Sequence, residues 1–153
     1  MDYQVRSIKG SSHRGITLVE LIVVVGIIML LTAVSITVYG SFKAHENLEI
    51  ATMGVVGALR HAQANAESGK ADSPWGVALL TSSVVVFKGG VYALRDISAD
   101  QKLDLPSGVF AGGLSEIVFE KVTGNTGGAG SVTLTNSFGV RNIIINAKGT
   151  ITY

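Results

Sequence analysis

From Ile16 to Tyr39 the chain is apolar at almost every position and carries one charge, Glu20. That run is long enough to cross a bilayer as a helix, which takes roughly 20 predominantly apolar residues. An ionised side chain inside such a span costs about 2.5–3.5 kcal/mol or more. Nothing within the run offers Glu20 a counter-charge, so the expected partner lies on another copy of the chain or a related subunit. The pattern then changes. From Ser41 to Ser68 proline is absent, and Leu48, Ala51 or Thr52, Val55, Leu59, Ala62 and Ala66 recur at three- and four-residue steps. This predicts an amphipathic helix with a narrow apolar stripe. Gly54 and Gly57 weaken it by about 1 kcal/mol each relative to alanine, and Gly69-Lys70 reads as its C-terminal cap. One long helix is therefore expected from Ile16 to about Ser68.

Beyond Gly69 the helical period gives way to short runs rich in β-branched and aromatic residues. Trp75–Leu80, Ser83–Lys88, Val91–Arg95, Gly108–Ala111, Glu116–Val122, Ser131–Thr135, Val140–Asn146 and Thr150–Tyr153 are predicted strands. Lys88-Gly89-Gly90-Val91 and Ala147-Lys148-Gly149-Thr150 read as tight hairpin turns. The stretch Gly124–Gly130 reads as a mobile loop between two strands. Its glycines lack the following helix start and Gly-Lys-Ser/Thr that a phosphate cradle needs.

The segment Arg14-Gly15-Ile16-Thr17-Leu18-Val19-Glu20-Leu21-Ile22-Val23-Val24-Val25-Gly26-Ile27, preceded by basic residues, resembles the prepilin signature of type IV pilins and type II secretion pseudopilins. The resemblance implies cleavage between Gly15 and Ile16 by a membrane prepilin peptidase, with N-methylation of Ile16. It also implies that Glu20 pairs with the amine of a neighbouring subunit and sets assembly register. The partners it implies are the peptidase, other pilin or pseudopilin subunits, an inner-membrane assembly platform and membrane lipid. Ile16 stands where the family usually has Phe, and Thr37 where many major pilins have a helix-breaking proline. Both departures fit a minor subunit. The stretch Leu59–Gly69, with the closing Phe138-Gly139-Val140-Arg141 and Gly149-Thr150-Ile151, is similar to minor pseudopilins of the H type and related minor pilins.

Charge and composition narrow the alternatives. Arg6, Lys9 and Arg14 against Asp2 keep the start of the chain cytoplasmic by the positive-inside rule, and the remainder extracytoplasmic. An ordinary secretory signal with a cleavage site at Ala33-Val34-Ser35 would have a shorter apolar stretch and no internal charge. A plain single-span anchor accounts for the length and leaves Glu20 unexplained. The formal charge of +1 for 153 residues offers no electrostatic footprint for nucleic acid. The chain has no cysteine, which excludes disulfides, thiolate metal sites and cysteine nucleophiles together.

Little else carries chemistry. His13 lies in the leader, and His45 and His61 fall on nearly opposite helix faces. His45 and Glu49 have metal-compatible spacing, but two ligands do not make a site. Asp96, Asp100 and Asp104 recur every fourth position in an expected loop, without the alternate-position ligands or central glycine of a calcium loop. Arg141 and Lys148 near the C-terminal strands lack the aromatic stripe of a nucleic-acid groove, so nucleic acid is the least supported partner. No catalytic residue, metal or cofactor is expected.

The expected fold class is α+β and pilin-like: a long N-terminal helix, membrane-spanning in its first half, packed on an antiparallel β-sandwich head. The expected organisation is a leader at 1–15, a transmembrane or filament-core helix at 16–39, its amphipathic continuation at 40–69, and a β-rich head at 70–153. The expected function is a structural filament subunit. The alternative is a membrane-anchored binding module, whose head contacts DNA, a surface or a secretion substrate through Gly124–Gly130 and Asp96–Asp104.

Overall fold

The computed structural model describes residues 15–153, and within them the side chains of all but 34–39. The leader residues Asp2, Arg6, Lys9, His13 and Arg14 lie outside the described residues. Two compact units divide the chain, one ending at Val38 and one running from Tyr39 to Tyr153. Helix α1 is Leu18–Glu67. It starts two residues later than expected because Thr17 caps it.

In the first unit every described side chain from Ile16 to Ala33 is exposed. The expectation of a membrane-spanning first half is corrected here. Among the described residues no helix is long and apolar enough to cross a membrane. The fold is α+β only in the loose sense of α1 and two short 3-10 turns accompanied by antiparallel sheets.

The second unit holds its own core. On α1, Leu48, Ala51, Thr52, Val55, Val56, Leu59, Ala62 and Ala66 are buried, a stripe set by the 3.6-residue period. Thr52 enters it at little cost because its hydroxyl donates to the Leu48 carbonyl at 2.7 Å. The helix stops at Gly69, whose φ of 65° suits glycine, and the Val122 N–H reaches back to the Ala66 carbonyl at 2.8 Å.

The strands are β1 (Trp75–Leu80), β2 (Ser83–Lys88), β3 (Asp96–Asp104), β4 (Phe110–Gly113), β5 (Glu116–Phe119), β6 (Gly130–Asn136), β7 (Gly139–Ile145) and β8 (Ile151–Thr152). They form two antiparallel four-stranded sheets, ordered β3-β2-β1-β5 and β4-β6-β7-β8. Trp75, Val77, Val84, Val86 and Phe119 from the first sheet share one core with Val132, Leu134, Ile143 and Ile145 from the second, and with the α1 stripe.

Two elements depart from the sequence reading. Val91–Arg95 is not a strand: Tyr92–Leu94 forms a 3-10 turn, and the Tyr92 ring meets Phe87 edge-on at 5.4 Å. Phe87, Ala78 and Val85 point away from the main core and form a second small cluster under this strap. Covering them offsets the cost of breaking the strand. Asp96–Asp104, expected as a loop, is instead the edge strand β3.

Candidate functional site

Gly15, Ile16 and Thr17 precede α1 and have no regular structure. The first intrahelical bond is Leu21 N–H to the Thr17 carbonyl at 3.2 Å. The Glu20 N–H donates to Thr17 Oγ1 at 3.2 Å. Thr17 is therefore the N-cap, and Glu20 is the third helical residue. Thr-x-x-Glu ahead of an apolar run is the capping-box pattern, a signal legible in the sequence.

The cap changes the electrostatics of Glu20. The carboxylate belongs to the first turn of α1, where the positive end of the helix dipole favours an anion by about 0.3–1 kcal/mol. It is thus less isolated than the apolar run alone suggests. Gly15, Ile16 and Glu20 lie within about one helical turn of each other along the chain, and all three are exposed. The surface that follows them is apolar all round: Leu18, Val19, Leu21, Ile22, Val23 and Val24 are exposed, as is the rest of the run through Ala33. Contiguous apolar surface of this kind marks a protein or membrane contact.

The other candidates resolve into structural roles. Asp96 pairs with Lys88 at 3.1 Å, Asp100 takes the Arg95 Nε–H at 2.8 and 3.0 Å, and Asp104 pairs with Lys102 at 2.8 Å. Three carboxylates each facing a cation do not form a calcium shell. Among the described residues no group of three or more His, Asp or Glu could hold a metal. The Asp96 carboxyl is held below the ordinary carboxylate range, first by the Ser98 hydroxyl and then by Lys88. The Lys121 ammonium does the same to Asp72. His61 Nε2 lies 3.4 Å from the amide of Asn65, and His45 is exposed one side of the helix away.

The glycine-rich segment between β5 and β6 is docked. Thr126 is buried, its N–H donates to the Ala147 carbonyl at 3.1 Å and its hydroxyl to the Asn146 carbonyl at 2.9 Å. Arg141 on β7 lies 3.7 Å from Glu49, while Lys148 occupies the turn after β7 and donates its backbone N–H to Asn146 Oδ1. Neither position has an aromatic ring stacked beside it among the described contacts.

No family model, curated protein or solved structure matches this chain.

Proposed function

We propose that this chain is a structural, non-enzymatic subunit of a type IV pilus-like or type II secretion pseudopilus filament. The supporting observation is the capped helix start: a backbone free of regular structure at Gly15–Ile16, then Thr17, then Glu20 in the first turn, then a helix apolar on every side. A prepilin peptidase cleaves after Gly15, and the new amine at Ile16 is methylated. Until assembly the subunit is held at the cytoplasmic membrane with its head on the outer side. Membrane lipid and then neighbouring subunits cover the apolar segment, and an inner-membrane platform adds the subunit to the filament. In that apolar setting an unpaired carboxylate is strongly disfavoured, so Glu20 seeks the amine of a neighbouring subunit and fixes register.

Intact-mass analysis of the N-terminus from native membranes tests this reading. The expected chain begins at Ile16 and is one methyl group heavier than the unmodified fragment. A chain beginning at Ile36, or an uncut one, refutes it. Glu20→Leu is expected to be cleaved normally and to fail incorporation into filaments.

A further inference from the structure

Strand β5 is an edge of the first sheet, and the phase of its ladder decides what that edge presents. The Leu79 N–H donates to the Ser115 carbonyl at 2.8 Å, and the same register runs on through Val77↔Ile117 and Trp75↔Phe119. Opposite residues of an antiparallel pair alternate between bonded and non-bonded, so Glu116 and Val118 turn their main-chain groups away from β1. Glu120, next in that row, gives its N–H to the Asn125 carbonyl at 2.8 Å. Among the described contacts no backbone partner outside the sheet meets the N–H of Glu116 or of Val118.

The returning chain begins a ladder on this edge and then leaves it. Phe119 bridges Thr126. Beyond that bridge lies a slot of about 230 Å³, with Glu116 and Val118 on one side and Gly127, Gly128 and Ala129 on the other. The second wall is held in place: the Thr126 hydroxyl lies 2.7 Å from the Gly128 carbonyl and 2.9 Å from that of Asn146. Leu114 adds an apolar surface, and Glu116 is the one ionisable side chain of the lining. Its carboxylate accepts the Tyr92 N–H at 3.0 Å.

We infer that this slot binds an extended, non-acidic peptide segment of a partner protein by strand addition to β5, whether or not the chain is a filament subunit. The N–H groups of Glu116 and Val118 stand about 6.8 Å apart, two strand residues, which is the repeat that a second extended main chain presents. Such main-chain pairing is the source of affinity in strand addition. The second wall selects the occupant. An edge strand of another copy brings its own sheet behind it, which would collide with Gly127–Ala129, whereas a lone segment enters between the two walls. The lining holds a carboxylate and no cation, so an acidic segment is repelled. Other edges are guarded: β3 carries Asp96, Lys102 and Asp104, and β8 is two residues long. Ile117, Val118 and Phe119 on β5 carry no charge.

Amide hydrogen exchange of the full-length chain in detergent micelles, read by NMR, tests this with the blocked hexapeptide Lys-Val-Thr-Val-Thr-Val as probe. In the free chain the Glu116 and Val118 amides are expected to exchange fast, and those of Ile117 and Phe119 slowly. Saturating peptide should slow the first two at least tenfold. Val118→Pro removes a donor that β1 does not use, and Gly128→Leu puts a side chain at the slot where a Cβ meets nothing within 4 Å. Each should keep the thermal midpoint and weaken binding at least tenfold, as should N-methylation of alternate peptide amides or replacement of the peptide's Lys by Glu. Unchanged Glu116 and Val118 exchange at millimolar peptide overturns the inference, as does equal binding of the N-methylated peptide. Protection of the two amides in the free chain that grows with protein concentration also overturns it, since the edge then pairs with a second copy. None of these outcomes bears on cleavage at Gly15, so the filament reading stands or falls separately.

Discussion

Gly69 and Gly149 share a left-handed backbone, with φ of 65° and 77°, but differ in what surrounds them. A Cβ at Gly69 would meet nothing within 4 Å. Gly69→Ala therefore pays only for the left-handed conformation, about 1–2 kcal/mol. A Cβ at Gly149 would fall well inside contact distance of the Gly124 carbonyl oxygen and the Gln63 amide. Backbone cannot swing aside as a side chain can, so about 1–3 kcal/mol of overpacking adds to the same conformational term. Gly149→Ala should then cost roughly 2–5 kcal/mol. For a head of this size about 4 °C in Tm accompanies each kcal/mol, which separates the two variants clearly. Thermal and urea unfolding of residues 39–153, followed by fluorescence of the buried Trp75, measures both. Equal destabilisation of the two variants refutes the argument that the loop and the β7–β8 turn meet as a tight backbone junction. Gly69→Asn, tolerant of the left-handed region, should be milder than Gly69→Ala.

Other expectations follow from the same contacts. Leu59→Ala, at a fully buried position facing both sheets, should cost about 2–5 kcal/mol in the same unfolding assay, and a loss below 1 kcal/mol would mean the site collapses freely. Because the Asp96 and Asp72 carboxyls are held below their ordinary values, their stabilisation is present above the unfolded-chain pKa of about 3.9. It is lost as pH falls through the lower folded values. Asp96→Asn should thus flatten the acid limb of a stability–pH curve, and an unchanged limb would remove Asp96 from it. Calcium should leave the midpoint of the head unmoved, since Asp96, Asp100 and Asp104 already face cations; a rise with calcium would show a shell that these pairs conceal.

The parts of the fold legible in the sequence are those set by local period. The α1 stripe from Leu48 to Ala66 was readable because burial on one helix face demands it, and β1, β2, β6 and β7 because β-branched runs are bounded by turns. The strand β3 was hidden by its aspartates. As an edge strand it tolerates charge, though Ile97, Ala99 and Leu103 at alternate positions were a usable signal. Contacts distant in sequence were invisible: Tyr92 closing over Phe87, Val122 reaching Ala66, and Thr126 pinned to Asn146 and Ala147. Thr17 and Glu20, three positions apart, were legible as a helix cap.

The strap over Phe87 has a consequence for the chain before it folds. With apolar cover on both sides, β1 and β2 can be apolar at nearly every position, as Val84-Val85-Val86-Phe87 and Val77-Ala78-Leu79-Leu80 are. Short, uncharged, β-branched segments of this kind stack readily into cross-β aggregates when bare. Each is shielded only once α1 has docked on one side and Tyr92 on the other. Without disulfides to hold a partly folded head together, misassembly of the hairpin is the hazard of any delay. Lys88 at its open end serves as the built-in gatekeeper.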